Sequence, residues 1–358
     1  MLKIAIVGCG KIADTHVSAI QRIKGCEIIA VCDKEELMAK QLYDRFPVKK
    51  YYSDINVLLN ENQPDVVHIT TPPQSHFAIA KLCMQRGCHV FIEKPFTINT
   101  AEAEELIAMA NMAGCKITVG HDAQFSDVSI RMRELVKNGY LGGYPVHLES
   151  CWCYDFGDAV YAKALLSDKQ HWARKLPGGL LHNIINHGVS KIAEFLVSEN
   201  PNITAHGFVS PFLRQIGEDK IIDELRVIIS EEQGTTAYFT FSSQMGPSLH
   251  QFRMYGPKNG LMLDEDKRIL IKLPGKNYKS YAEHFIPPLV DARQYIANFA
   301  HNMRLFITAD FHMNSGHKHL IELFYHSITY GTPIPIPYRE IILTSRIMDT
   351  IFEQIRTN

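Results

Sequence analysis

Four groups of residues in this chain have types and spacings that could do chemistry. The first is Gly8-Cys9-Gly10-Lys11-Ile12-Ala13, a Gly-x-Gly-x-x-Ala turn directly after the apolar run Leu2-Lys3-Ile4-Ala5-Ile6-Val7. A strand running through such a turn into a helix is the arrangement that holds a dinucleotide pyrophosphate. Gly8 would permit the tight turn, Gly10 would leave the phosphate unobstructed, and Ala13 would let helix and strand pack closely. The backbone N–H groups near Lys11 and Ile12 would then face an anion at a helix N-terminus. The plainer alternative is an ordinary glycine-rich turn.

The second group is Asp33, which ends the next apolar run, Glu27-Ile28-Ile29-Ala30-Val31-Cys32. Its distance from Gly10 suits the carboxylate that accepts hydrogen bonds from an adenosine ribose. A carboxylate there would repel the extra phosphate of NADP, so NAD is favoured over NADP; Lys34 would soften that preference. The alternative role for Asp33 is capping the helix that Lys34-Glu35-Glu36-Leu37-Met38-Ala39 suggests. The third group, Glu93-Lys94-Pro95, follows the strand Cys88-His89-Val90-Phe91-Ile92. Glu93 could bind a ribose, and Lys94 could hydrogen-bond a hydroxyl and stabilise charge on a reacting oxygen. Against this stands a strand-end surface ion pair. In the fourth group, Asn183 and His187 share a helix face if Gly178 to Val197 forms one helix. An imidazole there suits removal of a hydroxyl proton, or simply packs in a core, as most of the 17 histidines must.

The elements that would position these groups divide the chain in two. Strand and helix alternate over the first 120 residues, with further strands at Pro64 to Thr70 and Lys116 to Val119 and helices at Ser75 to Arg86 and Thr100 to Met112, the last capped by Thr100. That alternation implies an α/β fold, a doubly wound parallel sheet over residues 1–121, with ligands beyond the C-terminal strand ends. Residues 122–358 read as an α+β domain with a large open, mainly antiparallel sheet. Its helices are expected at Ser126 to Asn138, Gly178 to Val197, Pro288 to Ile307, His319 to Tyr330 and Tyr338 to Arg356. Its strands are expected at Tyr144 to Cys151, Ile203 to Val209, Asp223 to Ser230, Thr235 to Phe241, His250 to Tyr255 and Leu261 to Leu263. The terminal helix is expected to pack back on the first domain.

A length of 358 residues accommodates two domains, and 46% hydrophobic residues fill their cores. A net charge of −1 supplies no basic field for nucleic acid or an anionic membrane. No apolar stretch is long enough to span a bilayer, and the first residues read as a core strand and not as a signal peptide. The 8 cysteines lack metal-type or disulfide-framework spacing. Together these features suggest a cytoplasmic protein with reduced thiols.

With Thr70-Thr71-Pro72-Pro73-Gln74-Ser75-His76 and the Gly178-Gly179 turn added, the chain resembles the Gfo/Idh/MocA oxidoreductases, the glucose–fructose oxidoreductase and inositol dehydrogenase type of family. The resemblance implies a Rossmann domain with the large open sheet behind it, and oxidation or reduction of a sugar, polyol or nucleotide-sugar carbon with NAD or NADP. It gives Gly8, Gly10, Lys11 and Ile12 to the pyrophosphate loop and Asp33 to the adenosine ribose. Thr71, Pro72 and His76 would line the coenzyme cleft, and Glu93 would meet the nicotinamide ribose. Lys94 would be the active-site lysine and His187 the histidine closing the family's aspartate-x-x-x-histidine pair. Trp172 and Arg174 resemble a segment reaching from the second domain towards the coenzyme. Relatives form dimers or tetramers, which implies a homodimer or homotetramer through the second-domain sheet.

Three departures stand out. Asn183 replaces the family's aspartate, and an amide can neither act as a base nor raise the pKa of His187 by its charge. Ile185 replaces the usual glycine between them, and Gln124 stands near where many relatives place an arginine. Two other readings therefore compete with simple dehydrogenation. One is redox-assisted elimination or epimerisation with retained NAD. The other is a non-catalytic NAD-binding regulatory protein. Tyr154, in Trp152-Cys153-Tyr154-Asp155-Phe156, and Trp172 are candidates for stacking on a sugar. His312, His317 and His319 match no metal-binding pattern and read as solvated surface, so no metal is expected.

Overall fold

The computed structural model describes residues 1–154, 166–232, 234–247, 249–308 and 315–356. Asp155, Phe156 and His312, invoked above, lie outside the described residues.

In the amino-terminal half, apolar runs of strand length alternate with amphipathic helices. The elements are β1 (Leu2–Val7), α1 (Lys11–Ile20), β2 (Cys26–Cys32), α2 (Glu36–Arg45), β3 (Tyr51–Tyr52), α3 (Ile55–Asn62), β4 (Val66–Ile69), α4 (His76–Gln85), β5 (His89–Ile92), α5 (Thr100–Ala113) and β6 (Ile117–Val119). The strands form one parallel sheet in the order β3-β2-β1-β4-β5-β6. Strands buried on both faces need no polar alternation, and β4 and β6 are buried at every position. The order reverses at β1, which pairs with β2 on one side and β4 on the other. A crevice opens at such a switch point. β3 and α3 were not legible in the sequence. Thr100 is not the cap of α5: the Asn99 side chain accepts from Glu102 N at 2.9 Å, while Thr100 donates to Asp349.

The second half comprises α6 (Asp127–Lys137), β7 (His147–Cys153), α7 (Gly179–Ile184), α8 (Asn186–Ala193), β8 (Asn202–Phe208), α9 (Pro211–Gln215), β9 (Glu224–Ser230), β10 (Thr236–Ser242), β11 (His250–Tyr255), β12 (Asn259–Asp264), β13 (Ile269–Pro274), α10 (Ala282–Ile307), α11 (Ser315–Tyr330) and α12 (Tyr338–Arg356). Its 7-stranded sheet runs β13-β12-β11-β7-β10-β9-β8 and is antiparallel throughout except for the β10–β7 pair. Leu225, Val227, Ile229, Ala237 and Phe239 face inward, while Arg226, Ile228, Thr236 and Tyr238 alternate outward. α8 lies on the inner face: a Cβ on Gly188 would sit 2.4 Å from the Phe239 ring, so only glycine lets helix and sheet approach. β13 and α9 were not anticipated, and α10 begins six residues before the expected Pro288.

The expected single helix from Gly178 to Val197 is two helices, separated at Ile185 (φ −72°, ψ −10°). Asn183 ends the first and His187 begins the second, so uninterrupted i,i+4 geometry does not link them.

The chain forms two compact units. One is Met1–Phe125 with Gly316–Asp349, and the other is Ser126–Ser315 with Thr350–Asn358. The first differs from the expected 1–121 in regaining α11 and most of α12. Leu320, Ile321, Phe324 and Tyr325 of α11 complete the core under β1, β4 and β5.

Candidate active site

Gly8 leaves β1 with φ +98°, and a Cβ there would lie 2.6 Å from Thr71 N and 2.7 Å from the Thr70 carbonyl carbon. No L side chain fits. Gly8 N donates to Cys32 O at 2.8 Å, and the Thr70 hydroxyl donates to Gly8 O at 2.5 Å, so the turn is stitched to both neighbouring strands. Gly10 caps α1 with ordinary extended backbone (φ −73°, ψ −175°) and no capping side chain, and a Cβ there would meet nothing within 4 Å. Its space faces outward beside the exposed Lys11 and Ile12 at the helix N-terminus.

These residues edge a cleft of about 560 Å³ lined by Gly8, Gly10, Asp33, Thr71 and Pro72, with Met38, Ile55 and Ile79 as apolar wall. The Gly8–Gly10 end lies at a helix N-terminus and Met38, Ile55 and Ile79 form an apolar wall, a lining of the kind that suits a dinucleotide. Asp33 is fixed from two sides: its carboxylate accepts from Cys9 N at 2.7 Å and Glu35 N at 2.9 Å. It is not the N-cap of α2, a position held by Glu35.

His76 is a correction to the expected lining. It is fully buried, with Nε2 2.8 Å from Thr71 O and Nδ1 2.9 Å from Pro95 O. Burial holds its pKa below the usual imidazole range despite these carbonyls. It is a strut joining the loop after β4 to the loop after β5, behind the cleft wall. Gln124 is likewise buried, within a 3-10 turn spanning Asp122–Phe125.

Glu93 is only 5% exposed, so the surface ion pair considered for Glu93-Lys94 does not describe it. Its carboxylate meets His16 Nε2 at 2.9 Å and His317 Nε2 at 3.5 Å, and accepts from Lys94 N at 3.1 Å. His16 Nδ1 contacts His68 Nδ1 at 2.8 Å, and His68 Nε2 contacts the Tyr325 hydroxyl at 2.8 Å. Burial first, then neighbouring imidazoles, hold His16 and His68 well below the usual range, so both are neutral. Burial holds the Tyr325 hydroxyl protonated. One hydrogen-bond direction satisfies this chain: Tyr325 donates to His68, His68 to His16, and His16 to the Glu93 carboxylate.

For His317, burial pulls the pKa down, but the Asp122 side chain and the Glu93 charge outweigh it, and the net shift is upward. His317 Nδ1 lies 3.8 Å from Asp122. It is buried, not solvated as expected, whereas His319 is half-buried. His16, Glu93 and His317 have the composition of a metal-ligand trio, with donor atoms within 4.8 Å of one another. Binding a metal would take His16 Nε2 away from the Glu93 carboxylate at 2.9 Å and from His317 Nε2, which lies 3.0 Å from it. Spacing could not reveal this cluster, whose members come from α1, the loop after β5 and α11.

Lys94 follows Glu93 in a bend beyond β5 and is half-buried. Burial lowers its ammonium pKa, while Glu93 and Asp122 oppose the shift.

In the second unit, the His187 ring stacks on Trp152 with centroids 5.2 Å apart, 21° from parallel. Trp152 also packs against His250 at 4.3 Å, and Tyr154 meets His250 edge-on at 5.2 Å. His250 Nδ1 is 2.6 Å from the Asp266 carboxylate. Among the described residues, Trp152 Nε1 and His250 Nε2 are buried atoms without a hydrogen-bond partner. His250 and Asp266 escaped the sequence reading because strand pairing joins residues distant in sequence. Arg174, in a 3-10 turn beginning at Trp172, pairs with Glu218 at 2.8 Å beside a separate cleft of about 600 Å³.

Residues 2–121 match the family model described as oxidoreductase family, NAD-binding Rossmann fold. D-glucoside 3-dehydrogenase of Escherichia coli is 30% identical over 142 residues, 39% of this chain and 40% of that protein. Myo-inositol 2-dehydrogenase of Thermotoga maritima is 25% identical over 141 residues, 39% of this chain and 42% of that protein. The matched segment thus spans about two-fifths of these relatives' length. The fold extends further: the WlbA dehydrogenase from Bordetella pertussis, solved with NADH and UDP-GlcNAcA, superposes with a TM-score of 0.79 at 14% identity, covering 99% of this chain and 96% of that one. Over residues 2–121, the chain is thus similar to the Gfo/Idh/MocA oxidoreductases and matches their NAD-binding Rossmann fold.

Proposed function

We propose that this protein is an NAD-dependent dehydrogenase acting on a CH–OH carbon of a sugar, polyol or nucleotide sugar. The observation that carries the reading is the cleft itself: Gly8 admits only glycine, Gly10 leaves open space at a helix N-terminus, and a doubly hydrogen-bonded Asp33 carboxylate stands in its lining just beyond β2. The names of the relatives support the substrate class.

When bound, the coenzyme supplies the hydride acceptor or donor. The chain's residues supply position and proton handling. Backbone N–H groups at Lys11 and Ile12 hold the pyrophosphate. Asp33 accepts from the ribose hydroxyls and disfavours a 2′-phosphate, so NAD is preferred over NADP. Lys94, with its lowered ammonium pKa, hydrogen-bonds the reacting oxygen and stabilises charge developing there. His187, flat against Trp152, accepts the hydroxyl proton, and Asn183 holds a neighbouring hydroxyl. Trp152 Nε1 and His250 Nε2 offer further polar contacts for a polyhydroxylated substrate.

The test is reduction of NAD, read as nicotinamide absorbance, across sugars, polyols and nucleotide sugars. The expected result is turnover with one of these classes, lost in Lys94→Ala and His187→Ala while NAD binding persists. Full turnover in both variants refutes the residue roles. NAD binding with no turnover on any substrate favours the regulatory reading.

A further inference from the structure

β7 carries two cysteines on one side of its strand, with Trp152 between them on the other. Alternation along an extended chain turns Cys151 and Cys153 to the face that carries Glu149. Their Sγ atoms lie 3.5 Å apart. Residues so placed have Cα atoms about 6.6 Å apart, inside the range a disulfide spans. Puckering of the strand end closes the remaining gap, and Cys153 is the last residue of β7.

The two thiols differ in a way that assigns their roles. Cys151 is half-buried, whereas Cys153 is fully buried. Strand register puts Thr240 beside Cys151 and Arg226 beyond it, while Arg253 stands opposite Glu149. Arg226 is held in place, donating to Phe241 O at 2.7 Å and to Glu224 at 2.9 Å. The hydrogen bond with Cys153 draws the Cys151 pKa below the usual thiol range, and Arg226 and Arg253 assist it against burial and the Glu149 charge. In Cys153 the same hydrogen bond, then burial, keeps the proton on sulfur. Burial raises the pKa of every other cysteine in the chain. Reactivity needs both thiolate character and access, and Cys151 combines them.

We propose that Cys151 and Cys153 are an oxidisable pair: Cys151 reacts with hydrogen peroxide, Cys153 closes a disulfide, and the closure displaces Trp152 from His187. In the first step the Cys151 thiolate attacks one peroxide oxygen. The O–O bond breaks, hydroxide leaves and takes up a proton as water, and Cys151 becomes a sulfenic acid. In the second, Cys153 loses its proton as its sulfur attacks that of Cys151. The S–O bond breaks and the hydroxyl leaves as a second water. The two thiols together give up two electrons and two protons, and one peroxide becomes two waters. Peroxide is small and uncharged, so it reaches a half-buried sulfur without a docking site. The consequence for activity rests on the role given above to His187, whose ring stacks on Trp152 with centroids 5.2 Å apart. Drawing its two neighbours together sharpens the pleat at Trp152 and tilts the indole out of that stack.

Hydrogen peroxide added to the purified full chain tests this. The expected product is two hydrogens lighter, has lost two thiols and yields a peptide joining Cys151 to Cys153; dithiothreitol reverses all three changes. Cys153→Ser should stop at the sulfenic acid, captured by dimedone, and Cys151→Ser should keep its thiols. In a Trp172→Phe background Trp152 is the sole tryptophan. Its emission should shift on oxidation and return on reduction. Turnover of the oxidised chain should fall roughly 10–100-fold, the effect of misplacing a reacting group, and Cys151→Ser should resist peroxide. Unchanged mass, a disulfide to any other cysteine, or no sulfenic acid in Cys153→Ser overturns the proposal. So does a Cys151–Cys153 disulfide that leaves the Trp152 emission unaltered. The mass, thiol and emission readouts need no substrate, so their failure is distinct from failure of the dehydrogenase reading, which shows as absent turnover in the reduced chain.

Discussion

Two glycines two residues apart should respond to the same methyl group in opposite ways. In Gly8→Ala the new Cβ has φ +98° and meets Thr71 N at 2.6 Å, the Thr70 carbonyl carbon at 2.7 Å and Thr71 Cγ2 at 2.8 Å. The positive φ costs about 1–2 kcal/mol. The overlap is with backbone, so β4 must move away from β1, adding about 1–3 kcal/mol in the manner of an overpacked core. Gly8→Ala should therefore lose about 2–5 kcal/mol of stability, a large share of a domain's total. Gly10→Ala starts from φ −73° with nothing within 4 Å. Its effect on the fold is the reduced entropy of the unfolded chain, a gain of about 0.4–1 kcal/mol. The added methyl occupies space assigned to the pyrophosphate, so NAD affinity should fall about 10–100-fold, or about 1.4–2.7 kcal/mol. Urea unfolding without ligand and fluorescence titration with NAD separate the two effects. A Gly8→Ala chain as stable as wild type would show the turn to be more compliant than described. A Gly10→Ala chain with wild-type NAD affinity would refute the cleft assignment.

The other predictions concern charge. Asp33→Ser should weaken NAD binding and narrow the NAD-to-NADP preference at least tenfold, read from the two dissociation constants; an unchanged ratio removes Asp33 from coenzyme selection. Lys94→Met should lower kcat by a factor of about 10²–10³, the effect typical of losing one stabilising donor at a reacting oxygen, with NAD affinity kept. The buried imidazoles make stability depend on pH. His16 and His68 have folded pKa values below their unfolded ones, so their contribution is present above about pH 6.5 and is lost as pH falls, at up to about 1.4 kcal/mol per pH unit each. His317 is shifted upward and acts oppositely: its contribution is full below about pH 6.5 and fades as pH rises through its folded pKa. Urea midpoints between pH 5.5 and 8 should show a net acid-side loss that is shallower in His68→Gln; equal slopes refute the assignment. Elemental analysis of the purified chain should find well below one equivalent of zinc, and chelation should leave stability unchanged, because His16 Nε2 is already engaged by Glu93 and His317. Stoichiometric metal would replace the hydrogen-bonded reading of that cluster.

What was legible in the sequence was whatever is local. The glycine turn, the strand-ending Asp33 and the strand–helix rhythm each depend on neighbours within about thirty residues, and each falls where the pattern places it. The antiparallel sheet was legible for the same reason, since turn residues bracket apolar runs. What failed depended on tertiary context. Ile185 interrupts a periodic pattern that alone favours one continuous helix. His317 reads as surface until Glu93 and Asp122 are brought to either side of it. His76 lies beside a cleft-lining segment yet fills the space behind it, and only burial distinguishes wall from lining. α10 has an apolar stripe that any sequence reading would turn inward, and it faces outward because Gln294 and Asn298 bind the edge strand more specifically.

Glu93 and Lys94 show why adjacent residues at a strand end can have separate physical tasks. Glu93 is buried with two imidazoles at its carboxylate, and Tyr325, His68 and His16 form a chain of donors ending on it. A buried carboxylate is costly unless its lone pairs are satisfied, and here the satisfying groups come from three elements of one unit, α1, β4 and α11. The result is a fixed negative charge immediately under the Lys94 backbone. That charge opposes the downward shift which burial imposes on the lysine. Removing a donor from the network, as in His16→Phe, should therefore leave the Glu93 carboxylate underbonded and less firmly held beside Lys94. A displaced Glu93 would support the Lys94 ammonium less, and the lysine pKa should fall further. The alkaline limb of the kcat profile should then move to lower pH while NAD affinity stays within a few-fold, a combination that mere loosening of the fold would not produce. If His16→Phe folds, binds NAD and keeps the wild-type alkaline limb, the network serves packing alone and Lys94 is tuned by burial without it.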